Sequence, residues 1–397
     1  MKKSILFAVR NMNIGGVEKS LLSLLNSLDS NKYDVDLLLL ENKGGFMEDI
    51  PSWVRVVVWE AYSSIRDELN LPPLSVIKKL YSEKRMGRAL SLSRGFLEYK
   101  ISKNILLYYK KVFRGLSVGG LKKHYDIAVS YTSLITYLSY TVLNFVNADS
   151  YFGWIHFDID RLNLEKKSVG KLHEKMSKIY VVSNNGRTVF CKAFPEFTNK
   201  CFVKYNILDK NLIIEKSKKP IDLIIEEGRI IIVTVSRLSY EKGIDLAVEA
   251  AKELSKKYSH FRWYIIGGGN EYEKLNAKVI GEELQNLVFL LGEKDNPLPY
   301  VRVSDIYVQP SRTEGYCTTT NEAKVLQKPI VVTDVNGMRE QFVENETVYI
   351  VSRENPHELS EAIFQLCISQ SERERLSNNI IEYGFVEDKD DLESVFE

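Results

Sequence analysis

Residues 5–40 read ILFAVRNMNIGGVEKSLLSLLNSLDSNKYDVDLLLL and hold the pattern that decides the fold. An apolar run at 5–9 ends in a polar, glycine-containing loop at 11–16, and a second apolar run occupies 35–40. Between them, leucines recur over 17–28 at the spacing of one helix face. Strand, helix and strand in this order open a parallel sheet, because parallel neighbours need a crossover connection. The sequence therefore predicts an α/β fold.

The pattern begins again in the second half of the chain. A run of β-branched residues at 229–235 is followed by an amphipathic stretch at 244–254 and by an apolar strand at 263–266 that ends in three glycines. Between the two halves, residues 204–227 contain Pro220 and a charged patch, so we predict a linker there. Two successive α/β domains are expected.

The composition is that of an ordinary globular protein. The 397 residues (45.7 kDa) are 44% hydrophobic and 27% charged, which argues against disorder, collagen and coiled coil. Lys and Arg (54) balance Asp and Glu (53), so the overall charge does not favour nucleic acid as a partner. The four cysteines lack metal-ligand spacing, and the N-terminus lacks the apolar run of a signal peptide. With no apolar window of about 18 residues, we expect a cytoplasmic protein.

Segment 78–123 differs from the rest of the chain in charge. It holds 13 Lys and Arg against two acids, Glu83 and Glu98, a local net charge of +11, with leucine, tyrosine and phenylalanine interleaved. Three interpretations fit: a basic helix on an anionic membrane, a helix packed on the N-terminal sheet with a solvated basic face, or a nucleic-acid surface. We favour peripheral contact with the inner face of the cell membrane, and we expect no nucleic acid.

Residues 308–334, VQPSRTEGYCTTTNEAKVLQKPIVVTD, carry the most chemical information. Glu314 and Glu322 have seven residues between them; glycine follows the first and alanine the second. This resembles the E-x7-E motif of retaining glycosyltransferases of GT-B fold, specifically family 4, of the type that builds bacterial surface polysaccharides. The resemblance implies a GT-B architecture, in which two Rossmann-like domains face each other across a cleft.

Further stretches resemble the same family in the same order. They are GGVEKSLLSLL (15–25), WIHFD (154–158), YNILD (205–209), VSRLSYEKGIDLAVEA (235–250) and IIGGGNEYEKL (265–275). The resemblance implies an N-terminal, acceptor-side domain at 1–203, a nucleotide-sugar domain at 204–375, and a C-terminal segment, 376–397, that crosses back to the first domain.

The donor in this family is a nucleotide diphosphate sugar, whose leaving group needs cations and backbone N–H groups where no metal supplies charge. Arg237 and Lys242 follow a predicted strand, at the edge where α/β sheets bind ligands. By resemblance, Glu314 accepts hydrogen bonds from sugar hydroxyls, and Glu322 accepts them from the ribose. The backbone N–H groups of Tyr316, Cys317 and Thr318 are expected to meet the sugar or the phosphate.

Glycines complete the predicted donor site. Gly15 and Gly16 precede a helix, whose N-terminus carries partial positive charge suited to phosphate, although a tight turn would need the same residues. Gly268 lies in the turn after strand 263–266. A dinucleotide site would want a further glycine where Tyr272 stands, so we expect this turn to approach the nucleotide or to pack the helix on the strand.

His156 stands in the WIHFD stretch, and the resemblance implies a catalytic role with Glu314: a hydrogen bond to the reacting sugar that stabilises developing positive charge. Asp158 and Asp160 form a D-x-D pair, which suits a divalent cation. Because Arg237 and Lys242 would supply the charge, we expect no metal or other cofactor. Asp158 is instead expected on the acceptor side or behind the residues that touch substrate.

The predicted function is the retaining transfer of a hexose from a nucleotide diphosphate sugar to a hydroxyl of a lipid-linked or polysaccharide acceptor. A UDP-sugar is favoured, with a GDP-sugar as the alternative donor. The rival interpretations are a GT-B nucleotide-sugar epimerase or hydrolase, and a non-catalytic scaffold that binds sugar nucleotides.

Overall fold

The computed structural model describes residues 2–116, 123–156, 165–223, 226–384 and 393–396. The chain divides into two compact units. The N-terminal unit comprises Met1–Tyr205 and Leu392–Glu397, and the C-terminal unit comprises Asn206–Asp391. The change from one unit to the other therefore falls within the YNILD stretch.

The N-terminal unit is built on a parallel sheet, seven-stranded within the described residues, with the order β3-β2-β1-β4-β5-β6-β7. Its strands and helices are β1 (Lys3–Val9), α1 (Gly16–Ser27), β2 (Tyr33–Leu39), β3 (Arg55–Val58), α2 (Tyr62–Asn70), α3 (Pro73–Ser82), α4 (Met86–Ser102), α5 (Leu106–Val112), β4 (His124–Ser130), α6 (Thr136–Phe145), β5 (Asn147–Ile155), α7 (Lys166–Glu174), β6 (Lys178–Val181), α8 (Asn184–Ala193) and β7 (Cys201–Val203).

The central strands β1 and β4 are buried over their C-terminal parts, Ile5–Val9 and Ile127–Ser130, as is typical of a parallel sheet covered by helices on both faces. On one face, Trp59 and Phe113 stack at 5.7 Å between ring centroids in a core that also receives α2 to α6. A short helix near the C-terminus, Glu393–Phe396, packs on this unit: the buried Phe396 ring meets the edges of Phe7 and Tyr33. The last described residues thus belong to the core formed by the first ones.

The basic segment forms three helices, α3, α4 and α5, for the part that the structure describes. One face of α4 packs into the core through Ala89 and Leu92, as the packing interpretation expects. Arg88 also points inward; it donates to Glu68 and to the backbone carbonyl of Lys111 at 3.0 Å. Most of the other cations of α3 and α4 lie on the solvent side.

The C-terminal unit has a second parallel sheet, with six strands in its described part and the order β10-β9-β8-β11-β12-β13. Its elements are α9 (Lys210–Ser217), β8 (Ile230–Val235), α10 (Ile244–Ser255), β9 (Phe261–Ile266), α11 (Tyr272–Gly281), β10 (Val288–Leu290), α12 (Leu298–Val303), β11 (Ile306–Gln309), α13 (Thr318–Val325), β12 (Ile330–Thr333), α14 (Met338–Gln341), β13 (Tyr349–Val351), α15 (Pro356–Ile368) and α16 (Gln370–Tyr383).

Two expectations about this half differ from the structure. The predicted linker 204–227 contains helix α9, which buries Ile213 against Leu298 and Val325. The charged sequence of this segment does not indicate these partners, because they lie far along the chain. The predicted boundary at residue 375 falls inside α16, which continues to Tyr383 in the C-terminal unit. Among the described helices, none has both the length and the hydropathy that crossing a bilayer requires.

Candidate active site

The strand order of the C-terminal sheet reverses between β8 and β11, since β9 and β10 lie on one side and β12 and β13 on the other. In open α/β sheets, ligands bind at the carboxyl ends of the strands beside such a reversal. The loop after β8 carries Arg237 and Lys242, and the loop after β11 carries Glu314. Residues from both sides of the reversal therefore meet at one edge of the sheet.

Lys242 and Glu314 form an ion pair at this edge, with 2.7 Å between Nζ and Oε2. Glu314 is nearly buried, whereas about a quarter of the Lys242 side chain, 24%, remains exposed. Burial works to lower the pKa of the Lys242 ammonium, but the Glu314 carboxylate outweighs it and the pKa is raised. The lysine therefore keeps its charge at neutral pH.

A chain of buried hydrogen bonds fixes the Glu314 carboxylate. Its Oε1 accepts from the Ser311 hydroxyl at 2.6 Å, and Ser311 Oγ accepts from the Gln309 amide at 3.0 Å. Tyr307 OH then donates to the Gln309 side-chain oxygen at 2.9 Å. Because each group in the chain is buried and oriented by the next, the carboxylate is held in one place before any ligand arrives.

Helix α13 begins shortly after Glu314 and Gly315. The side chain of its N-cap residue, Cys317, accepts no capping hydrogen bond from the backbone N–H groups of the first turn. The leading N–H groups of a helix have no partner within it, so this end offers donors and partial positive charge. Burial, together with the nearby Glu314, raises the pKa of the Cys317 thiol to about 11, which keeps it neutral. Glu322 lies buried on the same helix.

Arg237 is exposed after β8, next to the glycine turn that follows β9. Gly267 has φ +148°, and a Cβ there would stand 1.9 Å from the Ser236 carbonyl oxygen, so glycine is required for this close approach. The Gly268 carbonyl accepts from the Leu238 N–H at 2.8 Å. The turn thus packs against the loop that presents Arg237; a contact between Gly268 and the nucleotide stays a prediction.

The remaining predicted residues belong to the N-terminal unit. Gly15 is the N-cap of α1 with an extended backbone, φ −161°, and like Cys317 it gives no side-chain cap. His156 follows β5 and is buried between aromatic rings, 4.5 Å from the Tyr131 centroid and stacked on Trp154 at 6.2 Å. Asp158 and Asp160 lie outside the described residues. The roles predicted for Gly15, Gly16 and His156 stay predictions.

Two residues that belong to this architecture escaped the sequence analysis. The Arg312 guanidinium donates to both carboxylate oxygens of Asp245, at 2.6 and 2.8 Å. Arg312 stands two residues before Glu314, and Asp245 stands three residues after Lys242. The sequence signal that could have indicated this pair is that each residue stands close to a predicted donor-binding residue of opposite charge. Among the described residues, no group of three or more His, Cys, Asp or Glu side chains is arranged to hold a metal ion.

Residues 215–383 match the protein family described as glycosyl transferases group 1. Over this region the chain is similar to the group 1 glycosyltransferases. The matched region contains the ion pair, the chain of hydrogen bonds behind Glu314 and helix α13, so the family likeness and the candidate site coincide.

Curated relatives of the chain are also named as glycosyltransferases. The chain is 27% identical over 234 residues to the poly(ribitol-phosphate) alpha-N-acetylglucosaminyltransferase of Staphylococcus aureus, covering 56% of this chain and 44% of that protein. It is 28% identical over 165 residues to the poly(glycerol-phosphate) alpha-glucosyltransferase of Bacillus subtilis, covering 41% and 24% respectively. The match thus spans less than half the length of these curated relatives.

Solved structures confirm the predicted GT-B fold. Anabaena HepE in complex with UDP-glucose superposes with a TM-score of 0.69 at 15% identity, over 99% of this chain and 97% of that one. A point mutant of Staphylococcus aureus TarM, in complex with fondaparinux, alpha-GlcNAc-glycerol and UDP, gives 0.67 at 15% identity, over 99% and 98%. At such low identity the likeness concerns the fold, which is that of the GT-B glycosyltransferases.

Proposed function

We propose that this chain is a retaining, metal-independent glycosyltransferase of family 4 that moves a hexose from a UDP-sugar to a hydroxyl. The observation that carries the proposal is the Lys242–Glu314 ion pair at the strand reversal of the C-terminal sheet. A cation and a carboxylate side by side match a donor that presents a diphosphate and a hydroxylated sugar in succession.

In the proposed complex, the Lys242 ammonium exchanges part of its contact with Glu314 for a phosphate oxygen of the donor. Arg237 adds a second cation, and the first N–H groups of α13, near Cys317 and Thr318, add neutral donors. Glu314, held by Ser311, then accepts hydrogen bonds from sugar hydroxyls. Glu322 takes the ribose hydroxyls. Of these groups, Glu314 and Lys242 are oriented by hydrogen bonds within the protein.

The proposed chemistry breaks the bond between the anomeric carbon and the phosphate oxygen and forms a bond from the same carbon to the acceptor oxygen. The acceptor proton passes to the departing phosphate, and the configuration is retained. His156 is proposed to stabilise the positive charge that develops at the anomeric carbon. Because Lys242 and Arg237 offset the charge of the leaving group, this scheme needs no metal ion.

The choice of donor and acceptor rests on the comparisons. HepE is described with UDP, UDP and glucose, and UDP-glucose, and TarM with UDP. The curated relatives act, by their names, on poly(ribitol-phosphate) and poly(glycerol-phosphate). These names support a UDP-sugar over a GDP-sugar here, and a cell-surface polymer or its lipid-linked precursor as acceptor.

The test is a panel of UDP-glucose, UDP-N-acetylglucosamine, UDP-galactose and GDP-mannose, each incubated with the full chain. Every donor is tried with and without a glycerol-phosphate oligomer and a polyisoprenyl diphosphate sugar. We expect nucleotide release that requires acceptor, and a glycosylated product whose anomeric configuration matches the donor by NMR. Release without acceptor, or an epimerised donor, would support the epimerase or hydrolase instead. Tight binding with no turnover would support a scaffold.

We also propose that helices α3 and α4 bring the protein to an anionic membrane surface, at the inner face of the cell membrane. On α4, Met86, Leu90, Leu97 and Ile101 are 57%, 65%, 61% and 77% exposed. At about 100° per residue they fall within an arc of roughly 60°, and they extend over roughly 22 Å of helix. An apolar stripe of this length is typical of a helix that lies in a membrane interface.

Charge supports an anionic partner for this face. The exposed residues over 78–114 include nine cations and one acid, Glu83. The cations are Lys78, Lys79, Lys84, Arg85, Arg94, Lys100, Lys103, Lys110 and Arg114. Each basic residue near an anionic leaflet contributes about 1 kcal/mol, so the electrostatic and apolar terms act together.

Vesicle sedimentation tests this contact. The chain should bind vesicles containing phosphatidylglycerol and remain unbound with pure phosphatidylcholine. Leu90→Gln with Leu97→Gln should reduce binding at least tenfold, whereas Ile368→Gln with Ile381→Gln, at similarly exposed positions of the C-terminal unit, should leave it unchanged. Equal loss in both double variants would contradict the proposed face. A change of mass on light scattering in the first variant alone would point to a second copy of the chain as the occupant.

A further inference from the structure

Arg312 is an enclosed arginine of the candidate site. Its side chain is 4% exposed, although it sits in the loop between β11 and α13. Nη1 and Nη2 fork onto Asp245 at 2.6 and 2.8 Å, and Nε donates to Glu354 at 2.7 Å. Nη1 also donates to the Tyr240 carbonyl at 2.9 Å, while the guanidinium lies 4.1 Å from the Tyr240 ring centroid. Three of its nitrogens and one face are thus used within the protein.

The partners of Arg312 lie on both sides of Lys242. Tyr240 begins the single-turn 3-10 helix Tyr240–Lys242, and Asp245 stands in the first turn of α10. The backbone adds a further link, because the Arg312 N–H donates to the Glu241 carbonyl at 2.9 Å. One residue of the Glu314 loop therefore holds the Lys242 loop on both sides of the lysine.

A second arginine of the same unit shows that the number of ion pairs is not what distinguishes Arg312. Arg339 pairs with Asp334 at 2.9 Å and with Glu344 at 2.6 Å, but its side chain is 54% exposed and both acids lie five positions away in sequence. Arg312 instead pairs with Asp245 and Glu354, which lie 67 and 42 positions away from it in sequence. Arg339 ties a local turn together, whereas Arg312 ties two site loops together.

We propose that Arg312 is a positioning residue that holds the loop of Lys242 against the loop of Glu314, so that both side chains are in place for the donor. The inference rests on the proposed function for its kinetic consequence. Arg312 does not need to touch the donor, since its nitrogens are occupied by Asp245, Glu354 and the Tyr240 carbonyl. It acts by holding the cation that meets the diphosphate against the loop whose carboxylate meets the sugar.

The geometry also predicts which substitution fails. A lysine at position 312 keeps the charge but has one nitrogen, so it cannot reach both oxygens of Asp245 and Glu354 together. Because the buried guanidinium makes forked hydrogen bonds, we expect that a positive charge alone does not hold the two loops together. Arg312→Lys therefore serves as the conservative test, and Arg312→Gln as the test that also removes charge. Arg339→Lys is the matched control.

Hydrogen exchange measured on the full chain decides the structural half of the proposal. In Arg312→Lys and Arg312→Gln, the backbone amides of 239–243 and 311–316 should exchange at least tenfold faster, in both loops at once. Arg339→Lys should leave both loops as in the wild type. If only the 311–316 loop changes, or if neither changes, the clamp is absent and the proposal is overturned. Should Arg312→Gln not fold, Arg312→Lys alone decides.

Steady-state kinetics decide the functional half. With the donor that the panel identifies, Arg312→Lys should lower kcat/KM about 100-fold, because a displacement of about 1 Å in a catalytic group costs that much. The reaction is assayed well below the melting temperature of each variant. A lowered melting temperature with unchanged kcat/KM would assign Arg312 a purely structural role. If the wild type turns over no donor, the proposed function fails, while the exchange data still accept or reject the clamp.

Discussion

The two sheets of this chain reverse strand order in the same manner, yet the groups beside each reversal differ in kind. In the C-terminal unit, the loops after β8 and β11 present a cation and a carboxylate that already pair, Lys242 and Glu314. In the N-terminal unit, the reversal lies between β1 and β4. There the loops present a glycine turn and the buried Tyr131, whose hydroxyl lies 2.9 Å from Ser20 Oγ.

The topology gives both sheets a possible binding edge, whereas the side chains at the two edges differ. Both sheets offer the same location, an edge where strand ends diverge. The C-terminal edge carries the partly buried Lys242–Glu314 ion pair, and Arg312 links the two loops that form it. The N-terminal edge presents aromatic groups, with His156 packed beside Tyr131. If the proposed function is right, substitutions in the two units should divide between binding of the nucleotide and the rate of transfer.

The largest effect is expected from Glu314→Ala. If Glu314 accepts hydrogen bonds from the sugar, as proposed, its removal should lower the transfer rate about 10³-fold, the scale measured for the loss of one preorganised group in other active sites. The measurement is initial rate with saturating donor. Glu344→Ala, an exposed acid of the same unit, is the control. Wild-type turnover in Glu314→Ala would remove Glu314 from the mechanism.

Gly267→Ala, in the glycine turn, should be strongly destabilising. Its φ of +148° and the 1.9 Å approach to the Ser236 carbonyl leave no room for a Cβ, so we expect a loss of about 2–4 kcal/mol in the free energy of unfolding. Chemical denaturation measures this loss. Gly281→Ala, with nothing within 4 Å, should be neutral or stabilising; equal effects at both positions would contradict the packing argument.

Lys242→Ala should weaken UDP binding by about 1.5–3 kcal/mol, the range for a hydrogen bond to a charged group. Isothermal titration with UDP gives the dissociation constant directly. Lys278→Ala removes an ion pair with Glu249 in the same unit and should leave the constant unchanged. An unaltered affinity in Lys242→Ala would reject the phosphate role. It would also contradict the proposal that the C-terminal edge binds the nucleotide.

His156→Ala, in the N-terminal unit, should lower the rate of transfer without changing nucleotide binding. We expect the activation free energy to rise by about 1–2 kcal/mol, and kcat to fall accordingly, because one stabilising hydrogen bond is lost. The affinity for UDP should stay at the wild-type value. Rate and affinity are measured on the same preparation. A loss of UDP affinity as large as that of Lys242→Ala would mean that His156 serves binding rather than the chemical step.

The smallest expected effect is that of a chelator. If Lys242 and Arg237 supply the positive charge for the leaving group, millimolar EDTA should leave the initial rate essentially at its starting value. Activity is assayed before and after chelation, and again with added Mg²⁺ and Mn²⁺ as separate controls. Complete loss of activity with EDTA and its recovery with one of these ions would support a divalent-cation site at Asp158 and Asp160.

Much of the fold could be predicted from the sequence where apolar runs are short and fully buried. The apolar runs at 5–9 and 263–266 lie in β1 and β9, because every residue of both runs is buried. The short strands β7 and β13 were not predicted. Helix α9 was missed because its stability comes from Leu298 and Val325, far along the chain.

The candidate site divides in the same way. The types of residue and their places after strands could be predicted, because loops at strand ends are where an α/β sheet binds ligands. The contact of Arg312 with Asp245 could not, because the two residues are 67 positions apart and meet only when β8 and β11 become neighbours. Spacing along the chain carries no information about that adjacency.

By itself, the sequence determined that this chain forms two successive α/β units and which charged residues stand at the ends of the strands. Local periodicity is sufficient for both, since it depends on neighbours within one element. Tertiary structure decided that Lys242 and Glu314, 72 positions apart, form one ion pair and that a buried arginine holds their loops together. Those contacts follow from the order in which strands pair, and strand order is set by the packing of the whole sheet.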